Sequence, residues 1–358
     1  LVFGVIIFFH ELGHFIVAKI NHITVKEFSM GFGPKLFQFH KKETQYTLRL
    51  IPLGGYCMML SEDDEENEND ENSFEKKSIW ARMAVVLAGP AMNFVIAFLF
   101  SMVIIHFCGS DPAIIGAVYN KDNIEKYQIE NAEEYFNGVY PAEEAGISDG
   151  DQVLKIEGST VKNFRELQIY LQIYGDGSPI DLTLEKEDGT VYDTTVHPAK
   201  TPDGYKIGIM SVGYQLPKNF GELCKYSAYE TRYWVKATFL SLKLIVTRQV
   251  SSDEVSGPVG VAKNMNDTFN EAAKSSVLDL FLNWMNYIVL LSANLGVMNL
   301  LPIPGLDGGR FIFLLIEAVT RKKVPKDKEN IVTLIGFVLV MLLMVVILFN
   351  DIKNVFFH

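Results

Sequence analysis

The sequence predicts a membrane α-helical fold of about four transmembrane helices, with a membrane-associated β-hairpin and an inserted α+β domain. Three observations predict it. Apolar residues make up 49% of the 358 positions and mean hydropathy is +0.15, high for a soluble enzyme yet modest for a pure membrane bundle. Four long apolar runs are present. Between the second and third lies a polar stretch whose pattern alternates as strands do.

The first run is 1–20, apolar except for His10, Glu11, His14 and Lys19. It begins at Leu1 without Met or a basic flank. It therefore reads as a helix that has lost its first residues rather than as a cleaved signal peptide. The second, 83–108, carries no Asp, Glu, Lys or Arg, and the fourth, 331–349, has no ionisable residue. The third, 284–301, holds Asn294 and Asn299. Each approximates the ~20 residues that cross a hydrocarbon layer of ~30 Å. The stretch 226–247 is not a span. Glu230, Arg232, Lys236 and Lys243 interrupt it, and each would cost roughly 2.5–3.5 kcal/mol near a bilayer centre. Tyr229, Tyr233, Ala237, Leu240 and Leu244 recur at helical spacing, which suits an amphipathic helix.

Four spans put the loop with Arg321, Lys322, Lys323, Lys326 and Lys328 on the same side as 21–82, which carries Lys26, Lys35, Lys41, Lys42, Lys76, Lys77 and Arg82. Short Lys/Arg-rich loops are cytoplasmic, so both lie inside, and the termini and the insert lie outside. Within 31–56, Phe37, Phe39, Tyr46, Leu48 and Leu50 alternate around Lys41-Lys42-Glu43-Thr44. That is a hairpin. Its place between two spans implies that it dips into the membrane, facing protein or a wet cavity rather than lipid.

Much of the net charge of -11 is local: Glu62 to Glu75 holds nine acids and no Lys or Arg, so 61–77 is expected to be a disordered loop. No basic stripe appears, and nucleic acid is not an expected partner. Cys57, Cys108 and Cys224 are too scattered for a disulfide framework or a thiolate zinc cluster. The insert, 112–215, shows a strand at Val153 to Ile156 between Gly150 and Gly158. A helical pattern follows at Phe164, Leu167 and Leu171, then a strand from Ile180 to Leu184 ending at Glu187-Asp188-Gly189.

His10 and His14 are four apart, so on a helix both imidazoles leave one face and can reach one Zn²⁺ at ~2.0–2.1 Å. Glu11 stands beside them, placed to take a proton from water at the metal. Three ionisable groups within an apolar span are costly unless paired or bound to metal. A catalytic zinc site needs a third protein ligand and an open position. Asp307, in Asn299-Leu300-Leu301-Pro302-Ile303-Pro304-Gly305-Leu306-Asp307-Gly308-Gly309, is one candidate, and capping the helix that follows is its alternative role. Glu317 is the other ligand candidate.

His10-Glu11-Leu12-Gly13-His14-Phe15, Gly89-Pro90-Ala91-Met92-Asn93, the insert, Gly257-Pro258-Val259-Gly260 and the 299–309 motif follow one another as in the site-2 protease family. The whole chain resembles its bacterial RseP/RasP-type members, and the insert resembles a PDZ domain, here in a single copy. The resemblance implies an intramembrane zinc endopeptidase with Zn²⁺ held by His10, His14 and Asp307, Glu11 as catalytic residue, and Asn299 holding substrate backbone. It implies single-span membrane substrates, such as anti-sigma factors or signal-peptide remnants, trimmed beforehand by a site-1-type protease. The lipid bilayer is the remaining partner, with the PDZ-like domain outside and the active site toward the cytoplasm. A non-catalytic membrane adaptor that binds peptides through the PDZ-like domain is the alternative, and Asn299 has one too, satisfying a helix turn broken at Pro302.

Overall fold

The computed structural model describes residues 2–60, 70–121, 136, 138–247 and 257–357. The chain divides into two units, Leu1–Ser101 with Trp234–His358, and Met102–Tyr233. Among the described residues, four helices are long and apolar enough to cross a membrane by length and composition.

In the first unit, α1 (Val2–Ile20) leads into two long antiparallel strands, β1 (Val25–Lys41) and β2 (Thr44–Met59). These do not form the simple hairpin expected over 31–56. Met30 lies opposite both Gly55 and Leu48, and Tyr46 lies opposite both Phe28 and Phe39. The two strands thus make four rows, in the order 35–41, 44–49, 25–30, 55–59. The corners fall at Gly31, Gly33 and Gly54, whose φ angles of 87°, 84° and 90° belong to the left-handed region that side chains disfavour. At Gly54 a side chain is excluded outright, because its Cβ would sit 1.9 Å from the Phe32 ring. Arg49 braces the corner by donating to Ser29 Oγ (2.9 Å), Gly33 O (3.1 Å) and Tyr56 Oη (2.8 Å).

Residues 61–69 of the acidic stretch lie outside the described residues, but 70–77 correct the expectation of disorder. Ser73 is buried, Phe74 N–H donates to Leu60 O, and Asn72 O accepts from Thr24 N–H. Phe74 also packs between Val85 and Met83 clusters, so its ring outweighs the tendency of the neighbouring acids to stay solvated. Next comes α2 (Ile79–Cys108), with Pro90 inside it.

The second unit is α+β. It contains β3 (Ile115–Val118), β4 (Gln152–Ile156), β5 (Ser159–Thr160), α3 (Phe164–Ile173), β6 (Ile180–Glu185), β7 (Val191–Val196), β8 (Ala199–Thr201), β9 (Gly204–Lys206) and β10 (Ile209–Ser211). Four strands form one sheet, β5-β4-β6-β7, and β10 pairs with β3. Asn163 caps α3 by accepting from Glu166 N–H at 2.8 Å, and Glu166 reaches back to Lys162 N–H at 2.8 Å. Helix α4 (Phe220–Val246) starts earlier than 226, because Asn219 Oδ1 accepts from Glu222 N–H at 2.9 Å. Its charges have partners: Arg165 pairs with Glu230, and Arg232 donates to both Glu166 carboxylate oxygens at 2.7 and 2.9 Å.

The first unit resumes with α5 (Pro258–Ser275), α6 (Val277–Leu300), α7 (Asp307–Thr320) and α8 (Lys326–Phe357). The spans read as 83–108, 284–301 and 331–349 are longer here because polar ends extend them. Ser276, for example, caps α6 by accepting from Asp279 N–H at 3.0 Å. Val2 and Ile6 of α1, Ile96 of α2, Met265 of α5 and Ile288 of α6 share one core. Helices α1 and α2 cross on small residues, since a Cβ at Gly13 would stand 2.3 Å from Ala88 O. Helix α8 closes on the loop before α7: a Cβ at Gly336 would lie 2.3 Å from Pro304 O.

Candidate metal centre

The i, i+4 spacing on α1 does what helical geometry requires, bringing both imidazoles to one point inside the unit. His10 Nε2 and His14 Nε2 are 3.3 Å apart, and both rings are buried. Asp307 reaches the same point from the start of α7, with Oδ2 3.2 Å from His10 Nε2 and 3.4 Å from His14 Nε2. Ligands at ~2.0–2.1 Å from a tetrahedral ion are separated by roughly 3.3–3.4 Å, which is 1.63 times the bond length. The triangle already has that size.

Its chemistry also fits a cation. His14 Nδ1 lies 2.8 Å from Val85 O, and a carbonyl can only accept, so Nδ1 carries the proton and Nε2 is bare. Asp307 Oδ2 is buried with no hydrogen-bond donor reaching it. Acceptors facing one another in a buried space are costly unless a positive charge sits between them. Among the described residues, His10, His14 and Asp307 are the His, Cys, Asp and Glu group close enough to hold an ion.

Asp307 does not cap the helix. Leu306 occupies the cap position without a side-chain bond, and Asp307 is the first helical residue, its carboxylate turned to the imidazoles. The glycines that follow let the chain fold back on itself: a Cβ at Gly308 would stand 2.2 Å from Leu301 O, and one at Gly309 2.4 Å from Ile303 O. Glu317 is not at the site. It accepts from Arg82 Nη1 at 3.0 Å and Nη2 at 2.5 Å, which corrects its reading as a ligand candidate.

Glu11 lies against the hairpin and lines one cavity with Tyr56 and Cys57. The edge row 55–59 therefore runs past Glu11, and a Cβ at Gly55 would stand 3.4 Å from Glu11 Cγ. A cavity of about 490 Å³ opens there, lined by His10, Glu11, His14, Tyr56, Asp307 and Arg310 among others. Asn299, in the last turn of α6, is brought to the same place, with Nδ2 3.5 Å from His10 Nε2.

Sequence reasoning missed the contribution of α2. Val85 O holds His14, and Asn93 Nδ2 lies 3.2 Å from His10 Nδ1. Gly89 lies against both rings: a Cβ there would come 2.3 Å from His14 Nε2 and 2.7 Å from His10 Cε1. Residues 85, 89 and 93 share one helix face, and Pro90 among them removes the N–H that would otherwise bond the carbonyl of Val86. Gly89-Pro90-Ala91-Met92-Asn93 was the available signal, though its spacing assigns no partner.

Comparison with known proteins agrees with this geometry. A family model described as Peptidase family M50 matches residues 1–343. A Clostridium acetobutylicum protein is 37% identical over 354 residues, covering 98% of this chain and 95% of that one. The zinc metalloprotease RasP of Geobacillus kaustophilus is 32% identical, covering 99% and 97% of the two chains. The regulator of sigma-W protease RasP of Bacillus subtilis is 29% identical, also covering 99% and 97%.

Proposed function

Because the chain belongs to peptidase family M50, the site-2 proteases, and is a zinc metalloprotease, we propose that it cleaves the transmembrane segments of single-span membrane proteins at the His10, His14 and Asp307 centre. The observation that carries this reading is the triangle of bare donors, sized for a tetrahedral ion with one position left open. When bound, a zinc ion lowers the pKa of water and polarises a carbonyl oxygen. Glu11, at the open side and within the cavity, accepts the proton from the attacking water and delivers it to the leaving amine.

A helical substrate hides its peptide bonds in its own hydrogen bonds, so it must become extended before attack. The edge row 55–59 gives it a strand to join, and that row passes Glu11 at Gly55. Asn299, whose amide lies beside His10 Nε2, donates to substrate carbonyl groups. The insert acts as a PDZ-like filter on the outer side, admitting substrates already trimmed by a site-1-type protease. The excess of Lys and Arg in 21–82 and 321–328 supports a cytoplasmic placement of those loops, with the termini and the insert outside. Anti-sigma factors are one substrate class and signal-peptide remnants another. The relative named regulator of sigma-W protease supports the first.

The test is proteolysis of a trimmed single-span reporter by the purified chain in detergent or liposomes, with zinc measured on the same sample. Cleavage that needs both zinc and Glu11 upholds the reading. Equal cleavage by wild type and Glu11→Gln refutes it, and no cleavage with full zinc favours the adaptor role.

A further inference from the structure

The imidazole of His14 is held by Val85 O, but the corresponding partner of His10 is a side chain with a contradiction in it. Asn93 is fully buried on α2, its Nδ2 faces His10 Nδ1 at 3.2 Å, and its Oδ1 accepts no hydrogen bond. If His10 is to ligate zinc through Nε2, the nitrogen turned to Asp307 Oδ2 and His14 Nε2, the proton of its neutral ring must sit on Nδ1. An amide with Nδ2 toward that proton sets one N–H against another and leaves a buried carbonyl oxygen without a donor. The two ends of an amide are nearly isosteric and interchange by a half-turn. After that turn Oδ1 faces Nδ1–H and both faults at that oxygen are resolved.

We infer that Asn93 is a positioning residue: its Oδ1 accepts the Nδ1 proton of His10 and thereby commits Nε2 to the metal, as Val85 O does for His14. This rests on the zinc-centre reading above. Both holds lie on one stripe of α2, with Gly89 between them pressed against the two rings. One helix thus sets the tautomer and rotation of both histidine ligands before zinc arrives. Hydrogen-bond partners of ligating histidines act in this way, and their loss typically weakens metal binding by ~10–100-fold.

The test uses the full chain in detergent, with zinc affinity measured by competition against a chromophoric chelator. Asn93→Leu is expected to weaken zinc by about 10–100-fold, while Asn93→Asp, which keeps an acceptor, holds zinc at least as tightly as wild type. The zinc-free melting temperature of Asn93→Leu should not fall, because a buried amide is replaced by an apolar group of similar size. In cobalt-loaded protein the visible bands shift in Asn93→Leu and are restored in Asn93→Asp. If Asn93→Leu does not fold, nitrogen-15 NMR of histidine-labelled, zinc-loaded protein carries the test. The His10 Nδ1–H signal moves downfield in Asn93→Asp if the bond exists. Wild-type zinc affinity in Asn93→Leu, equal loss in Asn93→Leu and Asn93→Asp, or an unmoved signal overturns the inference. His10→Ala separates the two levels: if it retains zinc, the centre itself is wrongly assigned.

Discussion

Gly89 and His14 approach so closely that a methyl group on Gly89 would lie 2.3 Å from His14 Nε2. That nitrogen is one of the three proposed donors, and its ring is tethered at the other end to Val85 O. Neither the ring nor α2 can yield by an ångström without breaking that tether. Gly89→Ala is therefore expected to lose zinc by at least the ~10–100-fold seen when a ligand's support is removed. Cleavage should fall with it, while far-UV circular dichroism keeps its helical signal. Titration of zinc into the purified variant checks this, and near-wild-type affinity would show that the two helices can part at this point.

Glu11 separates chemistry from binding. It lies beside the donor triangle without joining it, in the cavity that the triangle shares with Tyr56 and Cys57. Glu11→Gln should keep one zinc per chain and lose roughly 10²–10⁴-fold in cleavage rate, the contribution of a positioned general base. Asp307→Ala should instead lose the metal as well. Elemental analysis and reporter cleavage on the same preparations distinguish the two, and a Glu11→Gln protein without zinc would move Glu11 into the ligand set.

The histidine pair was legible in the sequence because helical periodicity alone fixes which side chains share a face. Asp307 was not legible in that way. It lies 293 residues beyond His14, and only the ligand count and a family resemblance selected it over Glu317. Gly89, Val85 and Asn93 were hidden because their role depends on how α2 is rotated against α1, which no single-segment pattern encodes. Alternation in 31–56 revealed strands but not the four rows, since Gly31, Gly33 and Gly54 act through positive φ angles rather than through side chains. Charge misled at 70–77, where the buried Ser73 and the packed Phe74 outweigh the acids beside them. Glu230 and Arg232 were read as incompatible with a span, but the sequence did not show their partners Arg165 and Glu166, which lie more than 60 residues away.

In the second unit, Tyr192 donates to Asp151 Oδ2 at 2.6 Å, and Asp151 is buried. Burial, joined by that hydrogen bond and the Asp151 charge, pushes the Tyr192 hydroxyl above the ordinary range for a phenol. The folded state therefore keeps a proton that the unfolded chain releases near pH ~10. The resulting stabilisation is complete below that pH and declines as pH rises through the folded-state value. Thermal melts of the wild type from pH 9 to 11, roughly spanning the unfolded phenol value, should show this decline, and Tyr192→Phe should flatten it while lowering stability at neutral pH. A steeper alkaline decline in Tyr192→Phe would contradict the assignment.

Arg82 and Glu317 join the start of α2 to the helix that begins with Asp307, through two hydrogen bonds of 3.0 and 2.5 Å. Around them Met83, Val86 and Leu314 form an apolar cluster, so a lone charge left there would be poorly solvated. Glu317→Ala is expected to keep zinc at full occupancy and to destabilise the chain. Breaking a fully buried pair costs about 3–5 kcal/mol. A smaller loss of about 2–3 kcal/mol is expected here, because the Glu317 side chain keeps 16% of its surface exposed and is not fully sealed from solvent. Arg82→Met combined with Glu317→Leu removes both charges and should recover most of that loss, since apolar replacement of a buried pair is often neutral. The zinc measurement matters most. If Glu317→Ala empties the site while Asp307→Ala does not, the third ligand is Glu317, and α7 must turn to present it.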